Sequence, residues 1–102
     1  MSHERLNDHQ VLEQVRTLVR RGKIGWTDHV EQRMAERGFE RGQLRQCLLA
    51  GYFLERPYSP NKSGELEYKF TIGGNVDGET IHVAASLIPE KKVVVITVID
   101  AK

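Results

Sequence analysis

Residues 65–99, ELEYKFTIGGNVDGETIHVAASLIPEKKVVVITVI, decide the fold class. Leu66, Tyr68, Phe70 and Ile72 alternate with Glu65, Glu67, Lys69 and Thr71, a period of two that puts apolar side chains on one side of a strand. After the segment GGNVDG, which reads as a turn between strands, the period resumes. Ile81, Val83, Ala85 and Leu87 share one face, and Thr80, His82, Ala84 and Ser86 the other. Beyond the break at Pro89, KKVVVITVI is apolar on both faces, which places it inside a sheet. Upstream, YFLERPY reads as a short strand ended by Pro57, whose missing amide proton suits a strand end, and SPNKSGE reads as a loop. Short turns between successive strands predict an antiparallel meander.

Before Tyr52 the period is 3.6. From Asp8 to Arg21, the residues Val11, Leu12, Val15, Leu18 and Val19 form one face of an amphipathic helix, with Asn7 or Asp8 as cap and Gly22 as stop. A second helix begins after Trp26, capped by Thr27 or Asp28, and ends at Gly38, with Val30, Met34 and Ala35 as its narrow apolar seam. Trp26, just ahead of the cap, would staple the start of this helix to the core. A third helix, about Arg41 to Ala50, offers Leu44, Leu48 and Leu49 and stops at Gly51. Helices followed by strands predict an α+β domain: about three N-terminal helices on one face of a four-stranded antiparallel sheet. Residues 1–25 supply the first helix and a connector, and 26–102 the rest of the same single domain. The other sheet face would carry Lys69, Thr71, His82, Ala84 and Ser86, small or polar residues suited to solvent or a ligand.

With 102 residues, 39% hydrophobic and 28% charged, the chain has the size and composition of one globular domain. No run approaches the roughly twenty apolar residues of a membrane span, and MSHERLNDHQ lacks the apolar stretch of a secretory signal, so a cytoplasmic location is expected. A single cysteine, Cys47, cannot form an intrachain disulfide and reads as a small core residue. The formal net charge of +1 gives too weak a field for a general nucleic-acid coat; affinity for RNA would need a local patch. Four histidines are present, but His3 and His9 lie in a start expected to fray, and His29 and His82 have no Cys, Asp or Glu at ligand spacing, so neither a metal nor a cofactor is expected.

Chemistry therefore falls to cations. His29, Arg33 and Arg37 recur every four residues and stack along one helical stripe. Metal-free cleavage of RNA needs a base, an acid and a cation for the phosphorane charge. His29 and His82 could transfer protons, while Arg33, Arg37 and Lys69 could hold the phosphate. Against this stand structural roles: His29 hydrogen-bonding to the preceding loop, Arg33 and Arg37 paired with Glu36 or Glu40, His82 and Tyr68 serving the sheet and core.

WTDHVEQRMAERGFERGQLRQCLLAGYFLE, followed by LEYKFTIGG, IHVAASL and VVVITVI, resembles a bacterial family of short domains of unknown function with an H-x-x-x-R-M-x-x-R-G helix. The resemblance implies a RelE-like fold and distant kinship with RelE-like and BrnT-like toxins that cleave RNA. It implies RNA and a small antitoxin-like protein as partners, and carries the family's recurrent polar positions onto His29, Arg33, Arg37 and His82. Two expectations follow. One is a toxin-like, metal-independent endoribonuclease; the other is a non-catalytic interaction module that binds a protein or RNA through the open sheet face.

Overall fold

The computed structural model describes residues 5–60 and 66–100. His3, and most of the SPNKSGE segment read as a loop, lie outside the described residues.

Helix α1 spans Asp8–Arg20. Asn7 and Gln10 cap it reciprocally: the Asn7 side chain accepts from the Gln10 amide at 2.8 Å, and the Gln10 side chain accepts from the Asn7 amide at 2.9 Å. Strand β1, Ile24–Trp26, follows, then α2, Asp28–Arg37, and α3, Arg41–Ala50. Thr27 caps α2, and Gly38 ends it in the left-handed conformation with φ 75°. Val11, Val15, Leu18 and Val19 of α1, Val30 and Met34 of α2, and Leu44, Cys47 and Leu48 of α3 are buried. Ala35, expected in the seam of α2, is exposed. No helix among the described residues is long and apolar enough to cross a membrane.

Four longer strands complete the domain: β2 (Tyr52–Tyr58), β3 (Tyr68–Val76), β4 (Glu79–Ile88) and β5 (Lys92–Asp100). β3 runs through GGNV, so the expected six-residue turn shrinks to Asp77 and Gly78, both at positive φ (53° and 82°). That is the two-residue hairpin turn whose twist matches its strands.

The sheet order is β1-β5-β4-β3-β2, five strands in all. This corrects the expected four-stranded antiparallel sheet: Ile24, Gly25 and Trp26 pair in parallel with Val93, Val94 and Val95, making the sheet mixed. Trp26 is thus a strand residue, and the Arg41 guanidinium lies 5.2 Å from its ring centroid. The cause is the character of β5. A strand apolar on both faces needs a neighbour on each side, and three residues too short to show any periodicity supply the second one. The chain leaves β1 at one edge, passes through α2 and α3 to the other edge at β2, and meanders back until β5 closes on β1.

All three helices contact the sheet: α2 meets β5, α3 meets β3 and β4, and α1 meets β5. Tyr68, Phe70, Ile72, Val83, Ala85, Leu87, Val93, Val95 and Val98 turn towards them and are buried. Two arginines tie α1 to α3. Arg16 on α1 donates to the Gly51 carbonyl just past α3 (3.1 Å), and Arg45 on α3 donates to the Val19 carbonyl near the end of α1 (3.0 Å). At Gly51 an added Cβ would lie 2.5 Å from the Gly73 carbonyl oxygen, so glycine is what lets α3 end directly against β3.

Candidate functional site

The helices cover one face of the sheet, and among the described residues no layer covers the other. Strand register fixes which residues stand together there. Tyr52 pairs with Gly73, Gly73 with His82, and His82 with Ile99. Glu55 pairs with Thr71, Thr71 with Ala84, and Ala84 with Thr97. Tyr58 pairs with Lys69, Lys69 with Ser86, and Ser86 with Val94. Paired residues point to the same side, so these three rows cross the uncovered face from β2 to β5.

The large apolar residues left in solvent are Tyr52 (60% exposed), Leu54 (45%), Tyr58 (46%) and Ile99 (45%). All belong to this face. Leu54, at a bulge in β2, reaches over Gly73, where an added Cβ would lie 2.5 Å from its Cδ1 and 3.3 Å from His82 Cδ2. Among the polar residues, Thr71 Oγ1 donates to Glu55 Oε1 at 3.4 Å and Ser86 Oγ donates to Glu67 Oε2 at 2.6 Å. Two carboxylates therefore stand near Lys69, and Lys92, paired with Ile88 one row further along, belongs to the same face.

His29 and His82 do not come together. His82 belongs to the uncovered face, whereas His29 is exposed in the first turn of α2, within the helical layer, and no hydrogen bond joins either imidazole to a described residue. Arg33, on the same stripe as His29, has its Nη1 3.9 Å from Glu36 Oε1, and its Nε is buried with no hydrogen-bond partner among the described residues. Arg37 is exposed in the last turn of α2. Lys69 stands four residues along β3 from Gly73, the partner of His82, a separation of about 13 Å along the strand. The five candidate residues thus split between two layers.

Tyr68 is buried, with its hydroxyl accepting from the Leu6 amide at 2.8 Å. Cys47 is buried too; its thiol faces the carbonyls of Ile72 (3.6 Å) and Ile81 (3.9 Å), and burial raises its pKa to about 11. Among the described residues no group of three or more His, Cys, Asp and Glu could hold a metal ion. Two open concavities, of about 470 and 430 Å³, lie along α1, and neither includes any of the five candidates.

Residues 26–100 match the family described as Domain of unknown function (DUF4258). The chain belongs to that family. The match begins at Trp26, the last residue of β1, and ends with β5, so it takes in α2, α3 and the meander that builds the uncovered face. No curated protein and no solved structure matches the chain. Kinship of this DUF4258 chain with RelE-like or BrnT-like toxins gains no support from these comparisons.

Sequence reasoning missed Tyr52, Leu54, Tyr58 and Ile99. A signal existed: YFLERPY and VVVITVI carry apolar side chains on both faces, more than a sheet with one solvated side requires.

Proposed function

We propose that this DUF4258 domain is a non-catalytic interaction module whose uncovered sheet face receives a protein. The observation that carries this reading is the gathering of Tyr52, Leu54, Tyr58 and Ile99, the large exposed apolar residues, on that one face. Docking by strand addition fits less well. β2 is interrupted by two register shifts, carries Glu55, Arg56 and Pro57, and so has the features that blunt an edge; β1 offers only three residues. RNA fits less well than protein, because Glu55 and Glu67 stand among the lysines of this face, Lys69 and Lys92, and interrupt a cationic track for a phosphate backbone.

The second reading, a metal-independent endoribonuclease, draws on Arg33, whose Nε is buried without a partner and whose nearest carboxylate contact is long. Its mechanism asks His29 and His82 to serve one phosphate, with Arg33, Arg37 and Lys69 holding it, and the division of these residues between two layers disfavours it.

A photo-crosslinking residue placed at position 54, and in a control at exposed Gln46 on α3, tests the first reading in cells. A discrete protein adduct at position 54 and none at 46 is expected; absence of the adduct at 54, or the same adduct at 46, removes the reading. In parallel, purified protein is incubated with mixed-sequence RNA in EDTA beside His29→Ala and Arg33→Ala. Intact RNA is expected, and cleavage abolished by either substitution would establish the nuclease instead.

A further inference from the structure

The three rows of the uncovered face share a property that a face built for an unrelated partner would not need. Number the strands across the face as β2, β3, β4, β5 and reverse that order, as a two-fold axis parallel to the strands and passing between β3 and β4 would do. Tyr52 and Leu54 then meet Ile99 of the second copy, and Tyr58 meets Val94. Apolar ends cover apolar ends in both outer rows. In the central row Glu55 meets Thr97 and Thr71 meets Ala84. Lys69 meets Ser86, whose hydroxyl is bonded to Glu67 at 2.6 Å, so the lysine of each copy approaches a carboxylate of the other. His82 meets Gly73, a position with no side chain of its own. Within these three rows no like charges are brought together.

We propose that the face is self-complementary and that its occupant is a second copy of this chain, packed sheet against sheet about that axis. The inference rests on the interaction-module reading. Two twisted sheets packed this way lie about 10 Å apart with strands within about 30° of each other, which keeps the row-to-row contacts in reach. A face four strands wide and about 20 Å long gives, over both copies, on the order of 1,000 Å² of contact, the lower bound of specific interfaces. The dimer is therefore concentration-dependent. A net charge of +1 opposes it little.

Sedimentation equilibrium from about 1 to about 500 µM is expected to show a rise from 11.7 kDa towards twice that mass. Leu54→Asp and Ile99→Lys, with folding verified by circular dichroism, should each weaken self-association at least about tenfold, because each sets a charge against an apolar surface. Mixed in equal amounts, the two variants should associate within about threefold of wild type, since residue 54 of one then pairs with residue 99 of the other by opposite charge while the second 54–99 contact stays native. A wild-type chain that stays monomeric throughout, or a dimer indifferent to both substitutions, or failure of the mixture to recover, overturns the proposal. If the chain is monomeric yet position 54 crosslinks to a different protein, the module reading stands and only the second copy is lost. If position 54 crosslinks to nothing, both fall.

Discussion

The Thr27 hydroxyl donates to the Ile96 carbonyl at 2.9 Å while accepting from the Val30 amide at 3.1 Å. Ile96 is the extra residue at the register shift between β4 and β5: Ala84 faces Thr97, and Ala85 faces Val95. A bulge leaves a backbone group without its ladder partner. One side chain thus caps α2 and donates to the carbonyl of the bulged residue, locking the helix to the sheet where β1 ends.

Thr27→Val keeps the shape and removes both bonds. The loss of a cap and the orphaning of a half-buried carbonyl should together destabilise the fold by about 2–3 kcal/mol. Thr27→Ser should cost under about 1 kcal/mol, since it keeps the hydroxyl. Urea denaturation of the two variants decides; a loss for Thr27→Ser as large as that for Thr27→Val would show that the hydroxyl contributes no more than the methyl.

Arg16 and Arg45 satisfy carbonyls at the ends of each other's helices. Replacing either by Met preserves the aliphatic stem and removes the guanidinium, at an expected cost of about 1–2 kcal/mol in denaturant midpoint stability. An Arg→Lys change should recover only part of it, as an ammonium lacks the planar fork.

Two glycines, Gly51 at the end of α3 and Gly73 within β3, should respond differently to alanine. At Gly51 the new Cβ would meet backbone, the Gly73 oxygen at 2.5 Å and the Cys47 oxygen at 2.7 Å, so α3 must move off the sheet, at a cost of about 2 kcal/mol or more. At Gly73 it would meet only side chains, Leu54 Cδ1 at 2.5 Å and Cγ at 2.9 Å and His82 Cδ2 at 3.3 Å, and because exposed Leu54 can turn aside the cost should be smaller, about 1 kcal/mol. Thermal melts of the two variants measure the contrast.

Cys47 carries a pH prediction. Burial holds its thiol neutral up to about 11, against 9.0 for an ordinary exposed thiol, so the folded state retains a proton that the unfolded chain releases first. Stability from this source is complete below pH 9 and falls as pH rises from about 9 to about 11. Denaturation at pH 8 and pH 10.5 should show a larger loss for wild type than for Cys47→Ala, and thiol alkylation of the native protein should be far slower than of the denatured chain.

Local pattern determined a good deal of this protein from its residues alone. The 3.6 period in α1 to α3, the two-residue period from Leu66 to Leu87, the glycine stops and the apolar β5 announced the helices, the four long strands and nearly all of the core. These are properties of neighbouring residues, and side-chain alternation records them directly. The Cys47 and Tyr68 interiors were legible for the same reason.

Only tertiary structure decided the rest. β1 exists as a strand because Val93–Val95, at the far end of the chain, needed a second partner, and nothing within Ile24–Trp26 encodes that demand. The separation of His29 from His82 and the gathering of Tyr52, Leu54, Tyr58 and Ile99 on the uncovered face follow from which side of the sheet the helices cover. Alternation assigns a residue to a side of its own strand. Which side meets helices and which meets solvent is set by contacts between segments distant in the chain, and these appear only when the sheet closes on β1.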